Sequence, residues 1–512
     1  MPKQKTPLTA AVIDIGGNEI SFKIAQCVKN KYKVIESMEY PLTLGKDTYN
    51  NGKISFEKVN KACAVIKNYL LVCKEYAADN IRIVSTSAIR EAENKEYILD
   101  QIRLKTGYTV EVLDNFDEKN YIYKLLFCRM PEEIKQSAMM VHIGSGNVGL
   151  LVAQKEKVPV VQTIKVGSLR IGEIFDDIQE YSREFYLIVE EYLNSFTDAI
   201  DHLFPYSPKY FVAVGREISL IADLCGAENK QGHYVIYKNK FDELYENIKF
   251  KTVERIMDEY SLTGEKAELL LPAMCIFANL LQFSEDENII APNILLIDAL
   301  LFEILYPADY AAVDKAFAKN TVLSAKEIAE RFRCMPSHYN RVLKYSESIF
   351  DKLKKIHGLS NAERILLQTA AILHDCGKFV NIKRHYRHSY SIIKGLDIAN
   401  LNSRDIEIVA NLALYHSRIC PLLFDRNYNS LSPEDRVIIS KLCAILRIAD
   451  SLERSHEQKF SKIDVKLTDE ELIITVESNR NTDLELWSFN SKSKFFEEVF
   501  GIKAVFRKKA VL

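Results

Sequence analysis

The sequence predicts a multidomain chain with a duplicated α/β module in its N-terminal half, an all-helical domain after it, and a small α+β segment at the C-terminus. Three observations carry this. A strand, glycine turn, strand pattern occurs twice: Ala11-Val12-Ile13-Asp14-Ile15-Gly16-Gly17-Asn18 followed by residues 20–26, and Met140-Val141-His142-Ile143-Gly144-Ser145-Gly146-Asn147 followed by residues 149–154. After Tyr306-Pro307-Ala308-Asp309 the apolar pattern turns helical, with Val342, Tyr345, Ile349 and Leu353 on one face and Leu366, Ala370 and Leu373 on another. Beyond residue 460 it changes again, with β-branched or alternating stretches at 463–467 and 472–476.

In chain order, residues 1–130 read as a first lobe and 131–304 as a second, ending in apolar helices around 269–281 and 294–305. Glycines in the two turns permit positive φ and let backbone N–H groups approach a phosphate closely, so the repeat predicts a phosphate-binding cleft between the lobes. Residues 305–460 form the helical domain. Residues 461–512 form the cap, with a turn at Asp469-Glu470-Glu471, a helix over 491–500 and a strand over 502–506. The basic runs Lys352-Leu353-Lys354-Lys355 and Arg507-Lys508-Lys509 read as solvated faces.

Composition narrows the function classes. The 512 residues suit several domains, and a net charge of −2 with 27% charged residues describes no nucleic-acid binder. The ten cysteines contain no Cys-x-x-Cys pair and follow no secretory leader, which argues against disulfides and zinc-thiolate sites. No apolar run suffices to cross a bilayer. A cytoplasmic enzyme or regulator acting on a small phosphorylated substrate, with no nucleic-acid or membrane partner, is the expected class.

Seven of the ten histidines follow residue 330, and four of them with two aspartates form an ordered set: His338, His374-Asp375, His388, His416 and Asp450. Imidazole and carboxylate together suit divalent ions. In Ala370-Ala371-Ile372-Leu373-His374-Asp375-Cys376-Gly377-Lys378 an apolar helix runs into two metal-capable side chains, whose burial is costly unless a cation or hydrogen bonds satisfy them. His385 reads equally well as part of a basic phosphate-facing loop and stays outside the set, while His357 and His456 read as surface residues.

This set resembles the HD superfamily of metal-dependent phosphohydrolases. The resemblance implies that Asp375 bridges two divalent ions, with His338, His374 and Asp450 on one and His388 and His416 on the other; ligand type does not separate Mn, Fe, Mg, Ni and Zn. It also implies catalytic roles for Asp375 and for Lys378, the latter as a phosphate contact.

The N-terminal half resembles the actin-like (ribonuclease H-like) ATPase fold, and more closely the exopolyphosphatase and guanosine pentaphosphate phosphohydrolase (Ppx/GppA) family. The match rests on the two turns, on Ser85-Thr86-Ser87-Ala88-Ile89-Arg90-Glu91-Ala92-Glu93-Asn94, and on the run from Glu111 to Tyr123. Val166-Gly167-Ser168-Leu169-Arg170, Val214-Gly215-Arg216-Glu217, Leu271-Pro272-Ala273 and the run from Arg447 to His456 follow in order. It implies phosphate binding by Asp14, Gly16, Gly17, Asn18, Arg90, Gly144, Ser145, Gly146 and Gly215, a general base at Asp117 or Glu118, magnesium at Asp14, and a homodimer.

Departures from the family pattern fall in this cleft. His142 and Gly149 occupy its acidic positions, Gly17 and Glu19 stand where serines are preferred, and Arg216-Glu217 replaces Gly-Thr. The expected function is therefore a phosphohydrolase of polyphosphate, alarmone or nucleotide working at the helical metal site. The alternative is a regulatory protein whose cleft senses nucleotide or polyphosphate without turnover.

Overall fold

The computed structural model describes residues 8–28, 31–154, 160–164, 166–175, 182–200, 207–230, 233–396, 398–417, 419–422 and 425–509. The chain divides into two compact units, Met1–Ala316 and Phe317–Leu512.

In the first unit, β1 (Leu8–Ile15), β2 (Glu19–Val28) and β3 (Lys31–Pro41) form an antiparallel meander, and β4 (Asn80–Ser85) and β5 (Glu111–Val112) add in parallel, giving the order β3-β2-β1-β4-β5. Ala10, Ala11, Val12 and Ile13 of the central β1 are wholly buried. A strand covered on both faces has no polar side to show, so its apolar run is continuous. At the edge, β3 exposes Lys31, Lys33 and Glu39, charges that discourage pairing with another chain.

The second sheet repeats the plan. β6 (Ser137–Ile143), β7 (Val148–Gln154) and β8 (Val160–Ile164) form the meander, β9 (Tyr210–Val214) and β12 (Asn288–Pro292) the parallel additions, and β11 (His233–Tyr237) and β10 (Glu228–Lys230) extend the far edge. The sequence echo is thus a structural one: Gly16–Asn18 and Gly144–Asn147 each join the first two strands of a meander. The turns abut, since a Cβ added at Gly17 would meet Ser145 Oγ at 2.5 Å.

Helix Leu296–Leu305, which the sequence division assigns to the second lobe, packs on β1 and β2 of the first and ties Asp298 to Lys23 at 2.6 Å. Its residues are buried nearly all round, so the pattern carries no signal for which sheet it covers.

Helix Pro307–Arg331 carries the chain into the second unit, where helices Pro336–Lys352, Asn361–Leu373, His385–Lys394, Ser403–Tyr415 and Pro433–Ser451 follow. Val342, Tyr345, Ile349, Leu353, Leu366, Ala370 and Leu373 are all buried there. Reciprocal caps start two helices, Ser360 with Glu363 and Asn402 with Asp405, and Ser432 caps a third. A sheet ordered β13 (Lys462–Leu467), β14 (Glu471–Glu477), β15 (Lys503–Lys509) and helix Asp483–Phe500 complete the unit. Val465, Leu472, Ile474, Phe489 and Phe496 share one core with the preceding helices, so packing does not set the C-terminal segment apart.

The last helix starts at Asp483, not 491. Its first turns expose Leu484 and Trp487 while burying Glu485 and Ser488, an inversion that hides the helical period from a hydropathy reading. All ten cysteines are free, and no described helix is long and apolar enough to cross a membrane.

Candidate metal centre

The interlobe cleft is a pocket of about 100 Å³. Of the sequence-predicted phosphate-binding residues, Asp14, Gly16, Gly17, Asn18, Gly144, Ser145 and Gly215 line it. Gly146 instead packs toward Tyr49 and Ser87. Arg90 is turned to the start of helix Asn115–Arg129, donating to the Leu113 carbonyl at 2.6 Å and to Asn115 Oδ1, with Glu118 at 3.9 Å. Of the two candidate bases, Glu118 lines the pocket and is buried, whereas Asp117 is not among the lining residues.

Part of the charge in this pocket is met from within the protein, while Asp14 Oδ1 and Glu118 Oε2 are buried without a hydrogen-bond partner among the described residues. Arg216 pairs with Glu19, with Glu39 at 2.9 Å and with Ser21 Oγ at 2.6 Å, and Glu217 accepts from Ser168 Oγ at 2.7 Å. Burial, reinforced by Glu118 and opposed by Arg216, pushes the Asp14 carboxyl up to about 7. Burial lowers His142 to about 3, keeping it neutral, and the Lys119 charge adds to this. At the second acidic position, a Cβ on Gly149 would meet the Lys119 stem at 2.2 Å. The absent side chain at 149 leaves room for a buried lysine whose ammonium donates to Asn147 Oδ1 at 2.6 Å and the Asn115 carbonyl at 3.0 Å.

In the second unit, the C-terminal ends of three helices deliver His374, His416 and Asp450, while the first turns of two others deliver His338 and His385. Helix C-termini carry partial negative charge, which favours a cation where they converge. Asp375 lies at the middle. Its Oδ2 is 3.5 Å from His338 Nε2 and 3.6 Å from His374 Nε2; its Oδ1 is 3.3 Å from His385 Nε2 and 3.8 Å from His416 Nε2. Asp450 Oδ1 faces the first pair, at 3.6 Å from His338 and 3.7 Å from His374. One carboxylate thus presents each of its oxygens to a different imidazole pair.

His385 therefore stands where the sequence reading placed His388. Both lie on the first turn of one helix, and only His385 turns toward Asp375; His388 is half-buried and enters none of these contacts among the described residues. A spacing of three residues could not separate them. Arg384, with φ +59°, sets the chain direction into this helix. Gly377 allows the close approach: a Cβ there would meet the His385 carbonyl at 2.2 Å and Ser389 N at 2.3 Å.

His357 and His456 also depart from the surface reading. His357 is buried against the Phe350 carbonyl at 3.0 Å and away from the cluster. The His456 ring stacks on His338 at 3.7 Å between centroids, from a backbone φ of +58°. Positive φ in a non-glycine residue beside a polar cluster marks a constrained site.

The donor chemistry fits a cation. His374, His385 and His416 each place Nδ1 on a backbone carbonyl, at 2.9, 3.2 and 2.7 Å. A carbonyl only accepts, so each Nδ1 carries the proton and each Nε2 keeps its lone pair. His385 and His416 then face each other lone pair to lone pair at 3.3 Å, which is repulsive without a positive charge between them. Burial lowers the proton affinity of both, so a shared proton does not relieve the contact at neutral pH. Against the cost of burial, the Lys378 ammonium holds the Asp375 carboxyl below the usual carboxylate range, and Lys492 does the same for Asp450. Lys378 Nζ lies 2.5 Å from Asp375 Oδ2, and Lys492 Nζ 2.6 Å from Asp450 Oδ2. Lys492 carries no metal-site signal in the sequence, and His385 is the ambiguous histidine that the sequence set leaves out.

A model of the Ppx/GppA phosphatase family matches residues 23–305, and a model of Ppx/GppA phosphatase domain III matches residues 322–492. Among curated relatives, the guanosine-5'-triphosphate,3'-diphosphate pyrophosphatase of Vibrio atlanticus is 20% identical over 522 residues, covering 96% of this chain and 99% of that protein. That of Vibrio parahaemolyticus is 21% identical over 513 residues, covering 94% and 97%. Among solved structures, an exopolyphosphatase from Cytophaga hutchinsonii matches with a TM-score of 0.52 at 19% identity, over 58% of this chain and 97% of that one. An Aquifex aeolicus member of the Ppx/GppA family matches with a TM-score of 0.51 at 21% identity, over 59% and 99%. These two structures share the fold.

Proposed function

Since the chain belongs to the Ppx/GppA phosphatase family and is accordingly a phosphohydrolase, we propose that its catalytic centre is the His/Asp cluster of the C-terminal unit, an HD-type metal site, and not the interlobe cleft. The observation that carries this reading is Asp375 with one imidazole pair on each carboxylate oxygen. His338, His374 and Asp450 would hold one divalent cation and His385 and His416 a second, with Asp375 shared. Such ions supply Lewis-acid charge to a phosphoryl oxygen and acidify water toward neutrality.

The protein's own groups do the rest. The carbonyls of Ala371, Ile382 and Ala413 fix the imidazole tautomers before substrate arrives. Lys378 has a half-exposed stem and a charge beside Asp375, which suits it to meet a phosphoryl oxygen. The cleft is less well equipped for the same work, because Lys119 occupies the space beside residue 149 and Arg216 is spent on Glu19 and Glu39. Its two glycine turns suit binding of a phosphate without turnover.

The substrate class is a phosphoanhydride or phosphoester of polyphosphate, an alarmone or a nucleotide, in keeping with the names of the relatives. Phosphate release from guanosine 5'-triphosphate 3'-diphosphate, guanosine triphosphate and polyphosphate tests the assignment in wild type, Asp375→Asn and Glu118→Gln. We expect Asp375→Asn to lose at least ~100-fold in kcat and Glu118→Gln to stay within a few-fold. The opposite pattern would move the chemistry to the cleft.

A further inference from the structure

We infer that Lys492 is a positioning residue of the metal centre, holding Asp450 so that a single carboxylate oxygen faces the imidazoles. The inference rests on the reading of the His/Asp cluster given above. Lys492 comes from helix Asp483–Phe500 in the C-terminal segment and is 7% exposed. Its ammonium takes Asp450 Oδ2 at 2.6 Å, while Oδ1 of the same carboxylate points to His338 and His374. A carboxylate held on one oxygen by a buried cation cannot rotate to offer both oxygens to a metal, and this fixes its denticity and direction.

Burying an ammonium is costly, and an apolar side chain would suit this helix, whose Phe489 and Phe496 are core residues. The geometry gives the lysine a purpose that packing does not. A second buried charge on the same helix acts alongside it. Glu485, wholly buried two turns earlier, accepts from Ser455 N at 3.2 Å and from Lys459 Nζ at 3.1 Å. It thereby fixes the loop that lays His456 on His338. Residues seven apart lie on one helix face, so this face of the last helix braces two walls of the centre at once. Losing the outer partner of a ligating group typically costs roughly 10–100-fold in metal affinity.

The test is calorimetric titration of Mn2+ into metal-stripped full-length protein, comparing wild type, Lys492→Met, Lys492→Arg, Asp450→Asn and the double variant Asp450→Asn/Lys492→Met. We expect Lys492→Met to weaken Mn2+ binding roughly 10–100-fold and Lys492→Arg to recover most of it. In the Asp450→Asn background, adding Lys492→Met should change the affinity by no more than about twofold, because the group through which the lysine acts is already altered. Wild-type affinity in Lys492→Met, or losses that multiply in the double variant, would overturn the inference. A wild type that takes up no Mn2+ would instead sink the underlying reading. Should Lys492→Met fail to fold alone, the double variant removes both buried charges, and a loss of affinity well beyond twofold relative to Asp450→Asn would still overturn the inference, since the lysine would then act other than through Asp450.

Discussion

At the residue scale, the clearest instance is Asp14, whose carboxyl burial raises from 3.8 to about 7. Between those values the folded state holds a proton that the unfolded chain has released, so stability falls as pH rises through this window and levels off above about 7. Asp14→Asn removes the penalty. In urea unfolding it should gain on the order of 4 kcal/mol near pH 8, less near pH 5 and nothing near pH 3; a loss at pH 8 would mean an ionised, well-partnered Asp14. Single residues also mark where reading the sequence stops. His338, His374, Asp375, His416 and Asp450 were legible because an aspartate and histidines at apolar helix ends have few other uses. His385 was not, because choosing it over His388 requires the path of the chain after Arg384 at φ +59°. Lys119 was not either, since a lysine on a helix reads as solvent-facing until the empty side-chain space of Gly149 is seen beside it.

At the element scale, the short 3-10 turn Cys376–Phe379 lies against helix His385–Lys394 with no room for a methyl at Gly377. Gly377→Ala must push that helix away, and His385 with it. We expect a cost of about 1–3 kcal/mol in thermal unfolding, together with loss of one metal equivalent by elemental analysis while the His338, His374 and Asp450 side still binds. Retention of both equivalents would show that His385 is not a ligand. Helices that bury a regular apolar stripe were readable from their period, as were the alternating strands of the C-terminal sheet. Helix Asp483–Phe500 was readable only in its second half, because its first turns place the polar Glu485 and Ser488 inward and expose Leu484 and Trp487. Where function puts polar groups on the inner face, periodicity fails first.

For the molecule as a whole, two compact units with separate cores predict separable stability. A fragment of residues 307–512, which keeps helix Pro307–Arg331 intact, should unfold cooperatively. Mn2+ at about a hundredfold above its Kd should stabilise it by about 2.7 kcal/mol. A fragment that is unfolded, or folded but indifferent to Mn2+, would refute this. The duplication of the first unit was legible from its two glycine turns. The return of helix Leu296–Leu305 to the first sheet was not, because an all-round apolar helix names no partner. With Lys378 on Asp375 and Lys492 on Asp450, the carboxylates are already ionised and balanced, and the imidazoles that hold their Nδ1 protons on carbonyls are already neutral. Loading the centre would then be an ion exchange: a divalent cation held by these ligands would displace the Lys378 ammonium from Asp375, and His374 and His416 would have no Nε2 proton to release.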